Sequence, residues 1–252
     1  MPGAIIQFDH VHKSFGQRPV LQDFSLSIEK GAFLTIIGRS GCGKTTALRL
    51  VNRLICADSG RVLVRGQDVA RADPAALRRS IGYTIQNVGL FPHMTVEKNI
   101  AYVPALSKSP LWKGEQRRLR AAELLESVGL DADLAGRYPR ELSGGQRQRV
   151  GIARALAAQP EILLMDEPFG AVDEITRRQL QDEILRLHQA RDITILFVTH
   201  DMEEALKLGT QVLVMEQGQP AQSAPPSVIM ASPATPFVAQ LVRRSRDFTP
   251  RQ

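Results

Sequence analysis

Apolar and polar residues alternate in two runs near the start of the chain, residues 6–11 and 21–28, with Phe15-Gly16-Gln17-Arg18-Pro19 between them. A repeat of two puts every second side chain on one face, so the pair predicts a β-hairpin or two strands of an antiparallel sheet. Residues 32–37 form instead an apolar run that ends in glycine, as expected of a strand covered on both faces. From 44 to 54 the apolar spacing turns helical, which gives the order strand, loop, helix. Ser59-Gly60 and Arg65-Gly66 bracket a further short strand, and residues 81–85 predict another that leads to Gln86. Between 87 and 158 the pattern is mostly helical, amphipathic over 115–128, with prolines at 92, 104, 110 and 139 marking the connections. Strand patterns return at 162–165 and 194–198 around a long helical stretch, 174–189, and that βαβ order implies a parallel sheet. A last strand is expected at 211–216. The organisation predicted is one α/β domain over residues 1–236 with a helical insert at about 87–158, then a short proline-rich, partly helical tail at 237–252.

Composition narrows this little. At 252 residues the chain can bury a self-sufficient core, and its 43% hydrophobic and 23% charged content is that of an ordinary folded domain. No apolar run approaches the ~20 residues of a spanning helix, and the first residues lack a basic segment and long apolar stretch, so a protein made and kept in the cytosol is expected. Cys42 and Cys56 have no metal or redox spacing and read as two free thiols. The net charge of +6 would suit nucleic acid or an anionic membrane surface. Its arginines are dispersed, at 117–118, 147–154, 177–178 and 243–246, without interleaved aromatics to stack bases, which argues against nucleic acid.

The chemistry sits at the ends of the predicted strands. Gly38-Arg39-Ser40-Gly41-Cys42-Gly43-Lys44-Thr45 matches the phosphate-binding P-loop. Its glycines let backbone N–H groups turn inward on phosphates, Lys44 reaches the β and γ groups, and the Thr45 hydroxyl suits Mg²⁺. Leu142-Ser143-Gly144-Gly145-Gln146 is a second glycine-rich segment, with Ser143 placed to cap a helix running from 145 to 158. That would offer a hydroxyl and unpaired N–H groups at a positive helix end, a site for a γ-phosphate. Two such sites in one chain suggest that a nucleotide is held between two chains. Asp166 and Glu167 end the strand at 162–165, and alternation sends them to different places, Asp166 toward Mg²⁺ and Glu167 toward an attacking water. His200 follows the next strand, within reach of a γ-phosphate or water, and Gln86 at another strand end offers an amide. Phe15 either stacks on adenine or belongs to the core.

In this order the motifs resemble the nucleotide-binding subunit of ABC transporters over almost the whole chain. The resemblance implies a P-loop NTPase with a RecA-like, mostly parallel sheet, an N-terminal antiparallel β subdomain and an inserted helical signature subdomain. It makes residues 38–45 the Walker A loop, with Thr46 among the nucleotide-binding residues, Gln86 the Q-loop residue, residues 142–146 the signature, residues 162–166 Walker B, Glu167 the catalytic base and His200 the switch histidine. Ala171-Val172-Asp173 stands at the D-loop, with valine where leucine is usual, and Phe15 at the adenine-stacking position. Further implications are a head-to-tail dimer of two such subunits, ATP as nucleotide, Mg²⁺ on Thr45, Gln86 and Asp166, and a place on the inner face of the cell membrane against permease subunits, served indirectly by a solute-binding protein. Residues 82–96 and the phenylalanine at 169 are similar to ATPases of osmoprotectant importers, which carry quaternary amines such as glycine betaine, choline and carnitine. Importers of other small solutes, such as amino acids or polyamines, are the alternative. Efflux or lipoprotein-release ATPases usually carry threonine at 169, and DNA- or ribosome-associated relatives have long coiled coils or two cassettes. The sensory CBS domains that some osmoprotectant ATPases append are not expected here.

Overall fold

The computed structural model describes residues 3–248, apart from Asn87, Lys108 and Ala171. The first two strands, β1 (Ala4–Phe15) and β2 (Arg18–Glu29), form the expected hairpin. Then β3 (Phe33–Gly38) and α1 (Lys44–Val51) flank the P-loop, followed by β4 (Ser59–Val64), β5 (Gln67–Asp68) and α2 (Pro74–Arg79). Next come β6 (Ile81–Thr84), α3 (Val96–Ile100), α4 (Tyr102–Leu106), α5 (Gly114–Glu126), α6 (Gly144–Leu156), β7 (Ile162–Asp166) and α7 (Glu174–Arg191). The order finishes with β8 (Thr194–Val198), α8 (Met202–Leu208), β9 (Gln211–Glu216), β10 (Gln219–Ala224), α9 (Pro226–Ala231) and α10 (Pro236–Phe248). Among the described residues no helix is long and apolar enough to cross a membrane.

Two compact units result, one of the residues up to Leu77 together with those from Thr194, the other from Arg78 to Ile193. In the first, β2, β1, β4 and β5 make an antiparallel sheet, and β3 pairs in parallel with both β8 and β9. All six residues of β3 are buried, as its almost wholly apolar run requires. Phe33 meets Phe197 at 6.1 Å, and Phe8 meets Phe24 edge-on at 5.0 Å. Each such fully buried side chain contributes roughly 1.5–3 kcal/mol of transfer free energy. Thr35 is the one polar residue of β3, and its hydroxyl donates to the carbonyl of Ala205 at 3.0 Å, so it carries no unpaired polar group into the core.

In the second unit β6 and β7 pair in parallel, and the signature helix α6 lies so close to β6 that a Cβ on Gly82 would come 2.6 Å from the Ala155 carbonyl. Only glycine allows that approach.

Three features depart from the pattern read along the chain. The helix after the P-loop stops at Val51 rather than 54, where Asn52 leaves helical geometry and its side chain accepts from the N–H of Leu54. Strand β10 has no apolar alternation and contains Pro220, yet it pairs antiparallel with β9 at the sheet edge, where a missing N–H is tolerated. Residues from 236 form a helix whose Phe237, Val238 and Val242 are buried with Ile37, Val212, Val214 and Ile229. The segment was expected to be a partly helical tail, and its period-3.6 apolar face is what docks it on the sheet.

Candidate functional site

The P-loop leaves β3 at Gly38, and packing dictates that residue. A Cβ there would stand 2.3 Å from the carbonyl oxygen of Met215 and 2.7 Å from Cys42 Sγ. Gly43, at φ 104°, needs a left-handed backbone, and a Cβ on it would meet Leu21 at 2.6 Å. The turn carries Lys44 inward to 7% exposure, where Nζ donates to the carbonyls of Gly38 at 2.8 Å and Arg39 at 3.1 Å. A buried ammonium is thus stationed inside the loop, at the N-terminus of α1. No side chain caps α1 and its first turn has no acid, so its N-terminal amides and dipole are offered to an anion. Thr45 and Thr46 lie half-buried in that first turn, while Arg39, Ser40 and Gly41 are exposed on the loop.

Beside the loop lies a cavity of about 410 Å³, walled by Arg18 and Val20 of β2, by loop residues 39–42 and by the turn at 216–218. Cys42 lines it while only 7% exposed, and burial pushes its thiol above the usual range, against the opposing pull of Lys44. Phe15 is 51% exposed at the end of β1, which removes the core alternative, and Lys13 Nζ stands 5.6 Å from its ring centroid. His200 is exposed just beyond β8, in this same unit.

The second unit carries the carboxylates. All five residues of β7 are buried, ending at Asp166, 7% exposed. Glu167 then takes a φ of 46°, a left-handed conformation that costs a residue with a side chain about 1 kcal/mol or more. That turn is what separates the two acids, and alternation along the strand is only part of the reason. Gln86 Nε2 donates to Glu167 Oε2 at 3.0 Å, so two residues read separately in the sequence are in direct contact.

The signature segment forms the cap expected of it, one residue earlier. Helix α6 begins at Gly144, Ser143 Oγ accepts from the N–H of Gln146 at 3.2 Å, and Gln146 Oε1 accepts from the N–H of Ser143 at 2.9 Å. In this reciprocal capping box one amide taken to be open is paired, and the Gln146 side chain is engaged. Leu142 is buried below it, and Gly144 and Gly145 have no side chain to shield the N-terminal amides. Asp173 caps α7, accepting from the N–H of Thr176 at 3.0 Å, and that bond holds its carboxyl below the usual carboxylate range. The neighbouring Ala171 of the D-loop lies outside the described residues.

One organising residue was missed in the sequence. Asn99, fully buried in α3, accepts from the N–H of Phe91 at 2.8 Å and donates to the carbonyls of Phe91, Met94 and Thr95 at 3.0–3.1 Å. It therefore fixes the turn at 91–95, and the nearby helix-capping Thr95 is the one signal that could have drawn attention to it. The Thr95 side chain accepts from the N–H of Lys98 as that cap. Upstream, Val88 rests on Gly151 and Arg154 donates to the Gly89 carbonyl at 2.7 Å, so the stretch after Gln86 is seated on the signature helix. Asn87 of this stretch lies outside the described residues.

The sequence model of the ABC transporter family matches residues 21–170. The chain is 46% identical over 243 residues to the glycine betaine/carnitine/choline transport ATP-binding protein OpuCA of Bacillus subtilis (strain 168), covering 96% of this chain and 63% of that one. It therefore spans less than two thirds of that relative's length. It is also 46% identical over 241 residues to the glycine betaine uptake system ATP-binding protein YehX of Escherichia coli (strain K12), covering 96% and 77%. The dimeric post-hydrolysis state of the ATP-binding cassette MJ0796, bound to ADP and Pi, superposes with a TM-score of 0.81 at 32% identity, over 87% of this chain and 98% of that one.

Proposed function

We propose, from the premise that this chain belongs to the ABC transporter family, that it is the ATP-hydrolysing subunit driving a separate membrane permease that imports quaternary-amine osmoprotectants. The fold is the α/β P-loop NTPase fold of the ATP-binding cassettes. The observation that carries the ATPase reading is the presence, in one chain, of two helix N-termini built for phosphate: α1 behind the loop that holds Lys44, and α6 behind the Ser143 cap. A single site needs only the first. The second is accounted for when each chain lends its signature, residues 142–146, to the nucleotide of a second copy, with Asp173 at the same seam.

In this reading residues 38–46 hold the ATP phosphates and Phe15 stacks on the adenine. The collar of glycines leaves no Cβ in the way, and Lys44 supplies the positive charge. Thr45, Gln86 and Asp166 present a hydroxyl, an amide and a carboxylate, the hard oxygen donors that suit Mg²⁺. Held by these residues, Mg²⁺ would supply positive charge that offsets the charge of the nucleotide's phosphates. Glu167 orients the attacking water and takes up its proton, and His200 hydrogen-bonds at the γ-phosphate. The Gln86–Glu167 contact makes the base responsive to the stretch after Gln86, which we assign to the permease side of the subunit.

The choice of solute rests on relatives named for transport of glycine betaine, carnitine and choline. The subunit is then peripheral on the inner face of the cell membrane, with a solute-binding protein acting through the permease. Reconstitution with the permease tests this. ATPase activity should rise when binding protein loaded with glycine betaine is added, and activity indifferent to the permease would overturn the assignment.

A further inference from the structure

The backbone on either side of His200 is fastened at three points. Thr199, 2% exposed, donates its N–H to the carbonyl of Ile36 at 3.1 Å, which ties the end of β8 to the strand that feeds the P-loop. Its hydroxyl donates to Glu204 Oε2 at 2.6 Å and accepts from the N–H of Asp201 at 3.0 Å. Asp201 in turn caps α8, its carboxylate accepting from the N–H groups of Glu203 at 2.8 Å and Glu204 at 3.4 Å. His200, exposed, is the one residue between these two anchors.

Glu204 is 6% exposed, on the face of α8 that also buries Met202, Ala205 and Leu208. Packing alone favours an apolar residue there, because a carboxylate taken out of water carries a desolvation cost that a leucine does not. Asp201 already starts the helix, so the carboxylate is not needed as a cap. Its bond to Thr199 is the contact that leads to the site. With Thr199 held through its N–H, its hydroxyl as donor and its hydroxyl as acceptor, the backbone at 199–201 has one arrangement relative to β3. The imidazole of His200 leaves from that fixed base.

We propose that Glu204 is a positioning residue for His200, acting through Thr199, so that the histidine meets the γ-phosphate end of a nucleotide held by the P-loop. The inference rests on the assignment of His200 given above. It predicts a larger effect on turnover than on nucleotide affinity, since Glu204 bonds Thr199 while the P-loop cation Lys44 is held by the carbonyls of Gly38 and Arg39. Small displacements of a group that acts in the transition state are expensive, on the order of 10²-fold per ångström.

The test uses the full chain and measures ATP affinity, steady-state kcat and Tm for Glu204→Leu, Glu204→Gln and His200→Ala, singly and with Glu204→Leu and His200→Ala combined. Glu204→Leu should lower kcat about ten- to a hundredfold, with a smaller effect on ATP affinity. Glu204→Gln keeps an oxygen that accepts from Thr199 and should restore most of the rate. In the His200→Ala background Glu204→Leu should cost nothing further. If Glu204→Leu does not fold, Thr199→Val must reproduce the loss of kcat and Thr199→Ser must restore it. Full activity in Glu204→Leu beside an inactive His200→Ala overturns the inference alone, as does a loss that persists undiminished in the His200→Ala background. Full activity in His200→Ala overturns the assignment of His200, and this inference with it.

Discussion

Glu167 is held in a left-handed backbone conformation immediately after a fully buried strand, with Gln86 on its carboxylate. Strain of this kind persists where the surroundings over-determine it, and here it turns the second acid away from the first. The proposed division of labour, Asp166 for metal and Glu167 for water, follows from that turn. Glu167→Gln should keep ATP affinity and lower kcat by roughly 10²–10⁴-fold, the usual contribution of a general base. Unchanged turnover in an equilibrium-binding and phosphate-release assay would remove Glu167 from that role. Cys42 gives a second prediction at this scale. Burial raises its pKa, so the reactive thiolate is scarce at neutral pH and alkylation should keep accelerating as pH rises past about 8.5, the ordinary thiol value. ATP should slow the reaction at every pH. A rate that levels off below about 8.5, or is indifferent to ATP, would contradict the placement of this thiol beside the phosphates.

Local geometry at the ends of elements decides whether those side chains are presented at all. The P-loop turns where it does because Gly38 lies against the Met215 carbonyl and Gly43 against Leu21. Gly38→Ala should therefore displace β9 or the loop, costing a few kcal/mol as overpacking does. Thermal unfolding and ATP titration would detect it, and a stable variant with normal affinity would refute the close packing. The P-loop, the capping serine and the acid pair were legible in the sequence because each is a short run whose chemistry depends on adjacent residues. Strand β3 was legible because its run is apolar apart from Thr35. Contacts between segments were not: the Gln86–Glu167 bond joins residues 81 positions apart, and the Asn99 hub depends on a turn that only the fold creates. Strand β10 escaped because an edge strand with polar residues on both faces has no period of its own. The burial of α10 escaped because its partners, Ile37 and Val214 among them, lie far away along the chain.

For the whole molecule, the sequence contains one P-loop pattern, residues 38–45, and one Leu142-Ser143-Gly144-Gly145-Gln146 segment. On the proposed reading each chain is half of two sites, and isolated chains should bind ATP but hydrolyse it poorly, with specific activity rising with protein concentration. The head-to-tail arrangement is tested most directly by mixing two inactive variants, Lys44→Ala, which lacks the P-loop cation, and Ser143→Arg, which blocks the signature. In a mixed dimer the intact P-loop of one chain faces the intact signature of the other. The account predicts that ATPase activity returns on mixing although neither variant has it alone. A mixture as inactive as its components, under conditions where the two chains are shown to associate, would contradict the sharing of one nucleotide between two chains.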